Sequence, residues 1–234
     1  MEGAREKLAA LPGTEALDRF DGFFRVAPLP LDELEAGACY AQDPSTSIAP
    51  LLLDARPGDS VLDACAAPGG KSAILAQCMG NQGRLVCADS LDVRLETLME
   101  NMTRLGVTIV EPVVTDWLRD EALDGKFDRI LVDVPCSNTG VLGRRVDVRW
   151  RLEEDVFDTM RGIQIQIVQR AASCLKPGGT LVYSTCSIER EENEEVIAAL
   201  VEAIPEFTLD EERRTLPHVD GIDGSYCARL RQDA

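Results

Sequence analysis

The chain contains 234 residues, which at roughly 150 residues per domain predicts one large domain or one domain with a small appendage. Its composition, 45% hydrophobic and 28% charged, is typical of a globular protein and excludes a collagen, a disulfide scaffold or a disordered tail. The 24 basic and 41 acidic residues give a net charge of −17, so a nucleic-acid partner would have to bind a local basic patch. Because no apolar run reaches about 18 residues and the first residues lack the order of a signal peptide, we expect a cytoplasmic protein that does not enter a membrane.

The cysteines are spread along the chain rather than paired in short motifs. The eight are Cys39, Cys65, Cys78, Cys87, Cys136, Cys174, Cys186 and Cys227. In a reducing compartment we expect all of them to be thiols, and most of them to be small buried hydrophobic residues. A zinc site needs clustered cysteines with histidines nearby, and the only histidine is His218. We therefore predict that the protein holds no metal.

Glycine and proline interrupt residues 1–57 every few positions, and we expect this region to form an N-terminal extension packed on a larger domain, residues 58–234. Strands of that domain are predicted at residues 60–65, 84–89, 109–114, 130–133 and 180–183, the last of them after a turn at 176–179. Helices are predicted at about 70–79, 91–105, 153–174 and 193–203, with the glutamate-rich stretch 189–195 as a solvated first turn. This alternation predicts an α/β fold with parallel βαβ units, in which ligands bind outside the carboxyl ends of the strands.

A glycine-rich loop follows the first predicted strand and opens the first predicted helix. It reads Asp63-Ala64-Cys65-Ala66-Ala67-Pro68-Gly69-Gly70-Lys71-Ser72. Small residues at such a position let a ligand approach the backbone closely. The loop is neither a Walker A motif, because Cys65 stands where the first glycine is required, nor G-x-G-x-x-G, because its glycines are adjacent. A nucleoside triphosphate or a dinucleotide is therefore disfavoured.

Two aspartates end the next two predicted strands. Asp89 stands where a carboxylate in a Rossmann-like sheet accepts hydrogen bonds from ribose hydroxyls. Asp116 follows the third strand, within reach of an adenine amino group. Each of them taken alone is interpreted equally well as a helix or turn cap. With Asp63 at the end of the first strand, they make three aspartates at successive strand ends, which favours the ligand interpretation.

The fourth and fifth predicted strands each end in a polar loop that contains a cysteine. The first loop reads Asp133-Val134-Pro135-Cys136-Ser137-Asn138-Thr139-Gly140, and the second reads Ser184-Thr185-Cys186-Ser187. Both loops belong to the edge of the sheet where a ligand is expected. Position alone does not make a thiol reactive, so a structural role for both cysteines remains open.

The combination of C-A-A-P-G-G-K, D-x-P-C-S and S-T-C-S resembles the Sun/Fmu-type (RsmB-like) RNA cytosine-5 methyltransferases, which transfer a methyl group from S-adenosylmethionine. The resemblance runs from about Tyr40 to about Leu230 and includes Glu191-Glu192-Asn193. It implies a Rossmann-like doubly wound, mostly parallel sheet of the class I methyltransferase type for residues 58–234. It also implies a substrate in ribosomal or transfer RNA.

The resemblance implies covalent catalysis, because carbon 5 of cytosine becomes nucleophilic when a thiolate adds to carbon 6. Cys186 would be that nucleophile, and Cys136 would assist the elimination that frees the product. Asp133 would hydrogen-bond the cytosine ring, and Lys71 would add positive charge or hold the fold. The implied S-adenosylmethionine site consists of Cys65, Ala66, Ala67, Pro68, Gly69, Gly70, Lys71, Asp89, Asp116 and Asp133.

One basic stretch interrupts the acidic chain. Residues 141–151 contain Arg144, Arg145, Arg149 and Arg151 against Asp147, a net charge of +3. With Trp150 among them, these arginines are predicted to bind RNA beside the Cys136 loop. The alternative is a set of ordinary surface arginines, with Trp150 packed in the core.

Two features depart from the family pattern. About 40 residues precede Gln42, too few for the RNA-binding domain that family members carry, which leaves room for a separate RNA-binding subunit. Near residue 225, Ser225-Tyr226 replaces the family's Phe-Phe.

Three other functions compete with RNA cytosine-5 methylation. DNA cytosine methylation fits less well, because those enzymes use the Pro-Cys cysteine and lack the S-T-C-S cysteine. Methylation of an exocyclic amino group would need a D-P-P-Y-like loop, but position 136 is cysteine. A non-catalytic module that binds S-adenosylmethionine and RNA and acts with a partner remains open.

Overall fold

The computed structural model describes residues 3–153 and 155–233, which contain a large β-sheet with helices on both of its faces. The strands are β1 (Thr14–Ala16), β2 (Phe24–Val26), β3 (Ser60–Asp63), β4 (Arg84–Asp89), β5 (Val110–Val114), β6 (Phe127–Asp133), β7 (Leu175–Thr185), β8 (Phe207–Thr215) and β9 (Ser225–Gln232). The α-helices are α1 (Ala4–Ala9), α2 (Leu31–Glu35), α3 (Ile48–Leu53), α4 (Gly70–Cys78), α5 (Asp92–Arg104), α6 (Val156–Ala172), α7 (Glu194–Ala203) and α8 (Pro217–Asp220). Every helix in these two ranges is too short or too polar to cross a lipid bilayer.

The large sheet has seven strands in the order β5-β4-β3-β6-β7-β9-β8, and the first five are parallel. Strand β9 runs antiparallel between β7 and β8. The chain begins this sheet at β3, proceeds outward to β5, and then returns to place β6 on the other side of β3. This reversal leaves a crevice outside the carboxyl ends of β3 and β6, where ligands bind in such sheets. The predicted α/β, Rossmann-like doubly wound fold is confirmed.

The alternation of side chains along each strand produces two cores, one on each face of the sheet. Leu62 points into the core formed with α6 and α7, whereas Val61 points into the core formed with α3, α4 and α5. Both side chains are fully buried. Burial of one such side chain contributes about 1.5–3 kcal/mol, so the two layers hold the strands in a fixed register. That rigidity positions the loops at the strand ends.

The N-terminal region is more regular than the sequence predicts. It contains a hairpin formed by β1 and β2, the short helices α1 and α2, and helix α3. In α3, Leu52 and Leu53 are buried in the core that also contains α4 and α5. Residues 48–53 therefore pack against one face of the large sheet. The division of the chain into two parts at residue 57 stays a prediction.

Other differences concern element boundaries. The predicted turn at residues 176–179 lies inside β7, where the register with β6 shifts so that Phe127 pairs with Leu175 but Arg129 pairs with Thr180. This segment bulges out of the ladder and turns at Gly178, whose φ is 74°. Helix α6 begins at residue 156 instead of 153, after a 3₁₀ helix over Val146–Trp150.

Candidate active site

A cavity of about 310 Å³ opens at the crevice between β3 and β6. Its walls come from the glycine-rich loop, from the end of β6, and from residues 40–43 of the N-terminal region. The lining residues are Tyr40, Ala41, Gln42, Asp43, Thr46, Asp63, Cys65, Ala66, Ala67, Pro68, Gly70, Lys71, Asp133, Arg144 and Asp223. The volume is at the lower end of the range for small-molecule sites. Most of the predicted cofactor residues thus line the cavity. Three of them, Gly69, Asp89 and Asp116, do not.

The two glycines of the loop are required by close packing. Gly69 has a φ of 105°, which side chains rarely tolerate, and a β-carbon there would lie 2.9 Å from the Met102 side chain. At Gly70, the first residue of α4, a β-carbon would lie 2.9 Å from Gln42 and 3.2 Å from the Tyr40 ring. The absence of side chains therefore lets the loop lie between α5 and the N-terminal region.

A buried acid, a lysine and a second acid line the floor of this cavity. The Lys71 ammonium donates to Asp133 Oδ2 at 2.7 Å. Burial lowers the pKa of Lys71, but the charge and hydrogen bond of Asp133 raise it more, so that the net shift is upward. The fully buried Asp63 accepts a hydrogen bond from the Ser72 hydroxyl at 2.7 Å, and its Oδ1 has no partner among the described residues. Burial raises the pKa of Asp63 to about 7. The sequence places Asp63 at the end of a strand but does not indicate that its carboxyl group is fully buried.

Replacing Asp63 with asparagine is expected to change how stability depends on pH. The folded protein holds a proton on Asp63 up to about pH 7, whereas the unfolded chain releases it near its ordinary pKa of about 3.9. The free energy of unfolding therefore falls as pH rises from about 3.9 to about 7. Asp63→Asn removes this pH-dependent decrease. Relative to wild type, the variant should gain on the order of 2 kcal/mol between about pH 5 and pH 7. Urea unfolding followed by circular dichroism measures the difference. The exposed Asp124→Asn is the control, and parallel pH curves for all three proteins would contradict the assignment.

The two predicted cysteines contact each other at the same edge of the sheet, although neither is among the residues that line the cavity. Their sulfur atoms lie 3.3 Å apart, a hydrogen-bond contact between two free thiols rather than a disulfide. Asn138 connects them further, because its amide donates to the Cys136 carbonyl at 2.7 Å and its oxygen accepts from the Cys186 thiol at 3.2 Å. Asn138 has a φ of 63°, a left-handed conformation that asparagine tolerates.

The contact between the two sulfur atoms shifts the pKa values of the two thiols in opposite directions. The hydrogen bond from Cys136 lowers the pKa of Cys186 below its ordinary value, and the Lys71 charge adds to this effect against the opposing influence of burial and Asp133. The same hydrogen bond and burial raise the pKa of Cys136. The pair therefore releases its first proton more easily than an isolated thiol would and its second less easily. Cys186 is the better nucleophile of the two.

The glutamate-rich stretch is not solvated as predicted. Glu192 and Asn193 are fully buried, and Glu192 accepts hydrogen bonds from Ser137 and Ser187, the residues that follow the two cysteines. The family resemblance includes Glu191-Glu192-Asn193 but assigns no role to Glu192. A local pattern could not reveal the role of Glu192, because its partners are up to 55 residues away.

The other two predicted cofactor aspartates lie beside the cavity rather than in its walls. Asp89 is buried, and its carboxylate accepts from the Ala67 backbone at 3.3 Å and from Arg94 at 3.1 Å. It thus holds the glycine-rich loop from behind. Asp116 accepts from the Leu118 backbone at 3.0 Å, which is the turn-capping geometry considered as its alternative.

The basic stretch is divided between two environments. Arg144 lines the cavity and pairs with Asp43 at 2.5 Å and Asp223 at 2.9 Å, so its charge is partly neutralised. The exposed Arg145 and Arg151 both pair with Asp147. Arg149 is also exposed.

Trp150 ends the 3₁₀ helix of this stretch. Its side chain is 89% exposed, so the alternative that it packs in the core is wrong.

Within residues 3–153 and 155–233, no group of three or more histidine, cysteine, aspartate or glutamate side chains is arranged to hold a metal ion. All eight cysteines are free, and Cys87, Cys174 and Cys227 are buried. The expectation that the protein holds no metal stays a prediction.

The sheet order, the glycine-rich loop after the first strand of the large sheet and the position of the cavity define the class I methyltransferase fold. Over residues 50–231 the chain matches the family model described as 16S rRNA methyltransferase RsmB/F, and it belongs to that family. It is 37% identical over 215 residues to the probable ribosomal RNA small subunit methyltransferase B of Bacillus subtilis, covering 84% of this chain and 48% of that protein. The chain spans about half the length of the curated relatives it matches.

Two solved structures from Pyrococcus horikoshii are similar in both fold and sequence. One is NSun6 with SFG, an analogue of S-adenosylmethionine; it has a TM-score of 0.81 and 30% identity, over 90% of this chain and 58% of that one. The other is described as a methyltransferase homolog protein, with a TM-score of 0.76 and 33% identity, over 86% and 70% of the two chains. The resemblance expected from the sequence is thus confirmed.

Proposed function

We propose that this chain is an S-adenosylmethionine-dependent RNA methyltransferase that forms 5-methylcytosine by covalent cysteine catalysis, with ribosomal RNA as its substrate class. The observation that carries the proposal is the pair of thiols 3.3 Å apart at the carboxyl edge of the sheet, beside the Lys71–Asp133 pair. A cytosine-5 mechanism needs one sulfur to add to the ring and a second group to help it leave. Family membership and the named relatives support the methyl-transfer chemistry and the ribosomal substrate.

The cavity has the charge and polar atoms for S-adenosylmethionine. Four aspartates, Asp43, Asp63, Asp133 and Asp223, face two basic residues in its lining, which suits a ligand with an ammonium and a sulfonium group. The unpartnered Asp63 Oδ1 is a candidate acceptor for the ammonium group. When bound, this cofactor supplies the methyl group. Residues 65–68, 70 and 71 would hold it through the loop, with Asp89 proposed as a ribose contact and Asp116 as an adenine contact.

The first chemical step belongs to Cys186. Its thiolate would add to carbon 6 of the target cytosine and make carbon 5 nucleophilic. Carbon 5 would then bond to the methyl group while the bond between that methyl group and the sulfonium sulfur breaks, its electron pair staying on sulfur. Lys71 favours the thiolate by its charge. Asp133 is proposed to hydrogen-bond the ring and stabilise the charge that develops on it.

Cys136 acts when the product is released. The proton on carbon 5 is removed by a base, the bond between carbon 6 and sulfur breaks, and Cys186 regains its thiolate. Because its raised pKa keeps Cys136 protonated, its thiol can donate a hydrogen bond to the departing sulfur. Without that hydrogen bond, departure of the sulfur should be slow.

The proposal is tested by methyl transfer from radiolabelled S-adenosylmethionine to ribosomal RNA, with transfer RNA as a second substrate and bisulfite sequencing to locate the product. Label at carbon 5 of cytosine in ribosomal RNA is the expected result. Label only in transfer RNA would change the substrate class. Binding of both ligands without transfer would favour the non-catalytic module that acts with a partner, and addition of candidate RNA-binding subunits would then show whether a separate subunit is needed.

The exposed 3₁₀ helix Val146–Trp150 and the arginines around it are the proposed RNA interface. An exposed tryptophan offers a face for base stacking, and the neighbouring arginines offer charge to phosphates. Arg145, Arg149 and Arg151 are exposed there; Arg144 is exposed as well, but its guanidinium pairs with two aspartates of the cavity lining. We therefore assign RNA contacts to the first three and a structural role to Arg144.

Trp150→Ala and Arg149→Ala should weaken RNA binding in different ways. Loss of a stacked base costs about 1–3 kcal/mol and leaves the salt dependence unchanged. Loss of one phosphate contact weakens binding and reduces the slope of log affinity against log salt by about 1. Fluorescence anisotropy with a labelled RNA hairpin at several salt concentrations separates the two. Equal slopes and affinities for wild type and both variants would place the RNA on another surface.

A further inference from the structure

A buried carboxylate joins the two loops that carry the cysteines. Glu192 is 0% exposed and accepts hydrogen bonds from the Ser137 backbone at 2.8 Å, from the Ser137 hydroxyl, and from the Ser187 hydroxyl at 2.5 Å. Gln164 of α6 donates to the same carboxylate at 3.0 Å and to the Pro135 carbonyl at 3.0 Å. Ser137 and Ser187 directly follow Cys136 and Cys186, so one side chain fixes the backbone next to both thiols.

The two loops do not depend on Glu192 equally. The Cys186 loop has a second anchor in Asn193, whose Oδ1 accepts from the Thr185 hydroxyl at 2.6 Å and whose amide donates to the Ser187 carbonyl at 3.1 Å. On the Cys136 side, both the backbone and the side chain of Ser137 donate to Glu192. The Gln164 amide that holds the Pro135 carbonyl donates to the same carboxylate, so this second anchor also depends on Glu192. Removal of the carboxylate should therefore free Cys136 more than Cys186. Because a buried donor left without its acceptor is destabilising, the Ser137 segment would move until its N–H and hydroxyl find other acceptors.

We propose that Glu192 is a positioning residue that holds Cys136 against Cys186, so that release of the methylated product depends on Glu192 more than addition to the ring does. The inference rests on the proposed function, because it assigns the release step to Cys136. It differs from a role in folding alone, since a fold defect would impair addition and release together.

The first test needs no RNA. Glu192→Gln keeps the size of the side chain but replaces an acceptor oxygen with an amide that cannot accept from the serines. The rate of Cys186 alkylation by iodoacetamide is followed across pH, with peptide mass spectrometry to identify the modified thiol. Because the hydrogen bond from Cys136 lowers the pKa of Cys186, the alkylation midpoint of the variant should move up towards that of an ordinary thiol. Glu191→Gln, the same change at the preceding residue, is the matched control and should leave the profile unchanged.

The second test uses RNA and a denaturing gel. Glu192→Gln should still form the covalent protein–RNA complex but release it slowly, so that the complex accumulates about 10-fold or more over the Glu191→Gln control. Ser137→Ala, which removes one hydroxyl and keeps the backbone hydrogen bond, should show a smaller effect in the same direction. This milder variant keeps the test decisive if Glu192→Gln unfolds, which circular dichroism would show.

The outcomes separate the positioning role from the proposed function. If Glu192→Gln and Ser137→Ala match the control in both the alkylation profile and the complex, Glu192 does not position Cys136. A folded Glu192→Gln that forms no complex would show that addition depends on it, which also overturns the proposal. A shifted alkylation profile in a protein whose wild type neither forms a complex nor methylates RNA would support the positioning role while the proposed function fails.

Discussion

Replacing Cys186 with alanine should abolish turnover and leave no covalent RNA complex, whereas Cys136→Ala should trap the complex. Without the Cys186 sulfur no bond to carbon 6 forms, and the rate of methyl transfer should fall by on the order of 10³-fold or more. Without the Cys136 thiol, 3.3 Å from Cys186, addition and methylation proceed but the departing sulfur loses its hydrogen-bond donor. The complex is measured on a denaturing gel with radiolabelled RNA, and turnover is measured by methyl transfer.

The buried Cys174→Ala is the matched control, since Cys174 lies in the core and not in either loop. If Cys186→Ala traps the complex and Cys136→Ala does not, the two roles are reversed and the chain uses the arrangement of the DNA enzymes. If neither variant changes turnover, the catalytic proposal fails.

Asp133→Asn should lower activity while making Cys186 more acidic, two effects of opposite sign. The negative charge of Asp133 raises the pKa of Cys186, so its removal should lower that pKa further and speed alkylation near neutral pH. A more available thiolate alone would favour turnover. Loss of the proposed contact with the cytosine ring should nevertheless reduce turnover by about 10²–10³-fold, as for removal of a group that stabilises developing charge.

Both effects are measured on the same preparations, alkylation by iodoacetamide with peptide mapping and methylation in a single turnover. Asp128→Asn is the control, because Asp128 also pairs with a lysine, Lys176 at 2.6 Å, but does not line the cavity. Unchanged turnover together with faster alkylation would remove Asp133 from the ring contact. Slower alkylation would contradict the electrostatic assignment itself.

The parallel part of the sheet could be predicted because each of its strands is a short apolar run followed by turn residues or an amphipathic helix. Strand β8 could not, because its pattern is dominated by charged residues such as Asp210, Glu212 and Arg214 and gives no apolar alternation. It is held instead by antiparallel pairing with β9, the next strand along the chain, from Thr215 with Ser225 to Phe207 with Gln232. The local hydrophobicity pattern therefore could not predict this strand.

The candidate site shows the same limit. Cys136 and Cys186 could be singled out because each ends a predicted strand at the same edge of the sheet. The carboxylate of Glu192 was missed because a glutamate at a helix start normally faces solvent, and only donors from distant segments make its burial favourable. Trp150 was left between two interpretations, since exposure of a large aromatic side chain depends on what packs beside it.

The ion pairs of Arg144 with Asp43 and Asp223 also affect the order in which the domain folds. The Asp223 backbone donates to Asp43 at 3.1 Å, a contact between residues 180 positions apart, and both residues line the cavity. Contacts of such long range form late, because the entropy of closing a large loop is lost before the contact repays it. During synthesis the wall of the cavity thus stays incomplete until residue 223 has left the ribosome, even if the parallel strands have already assembled.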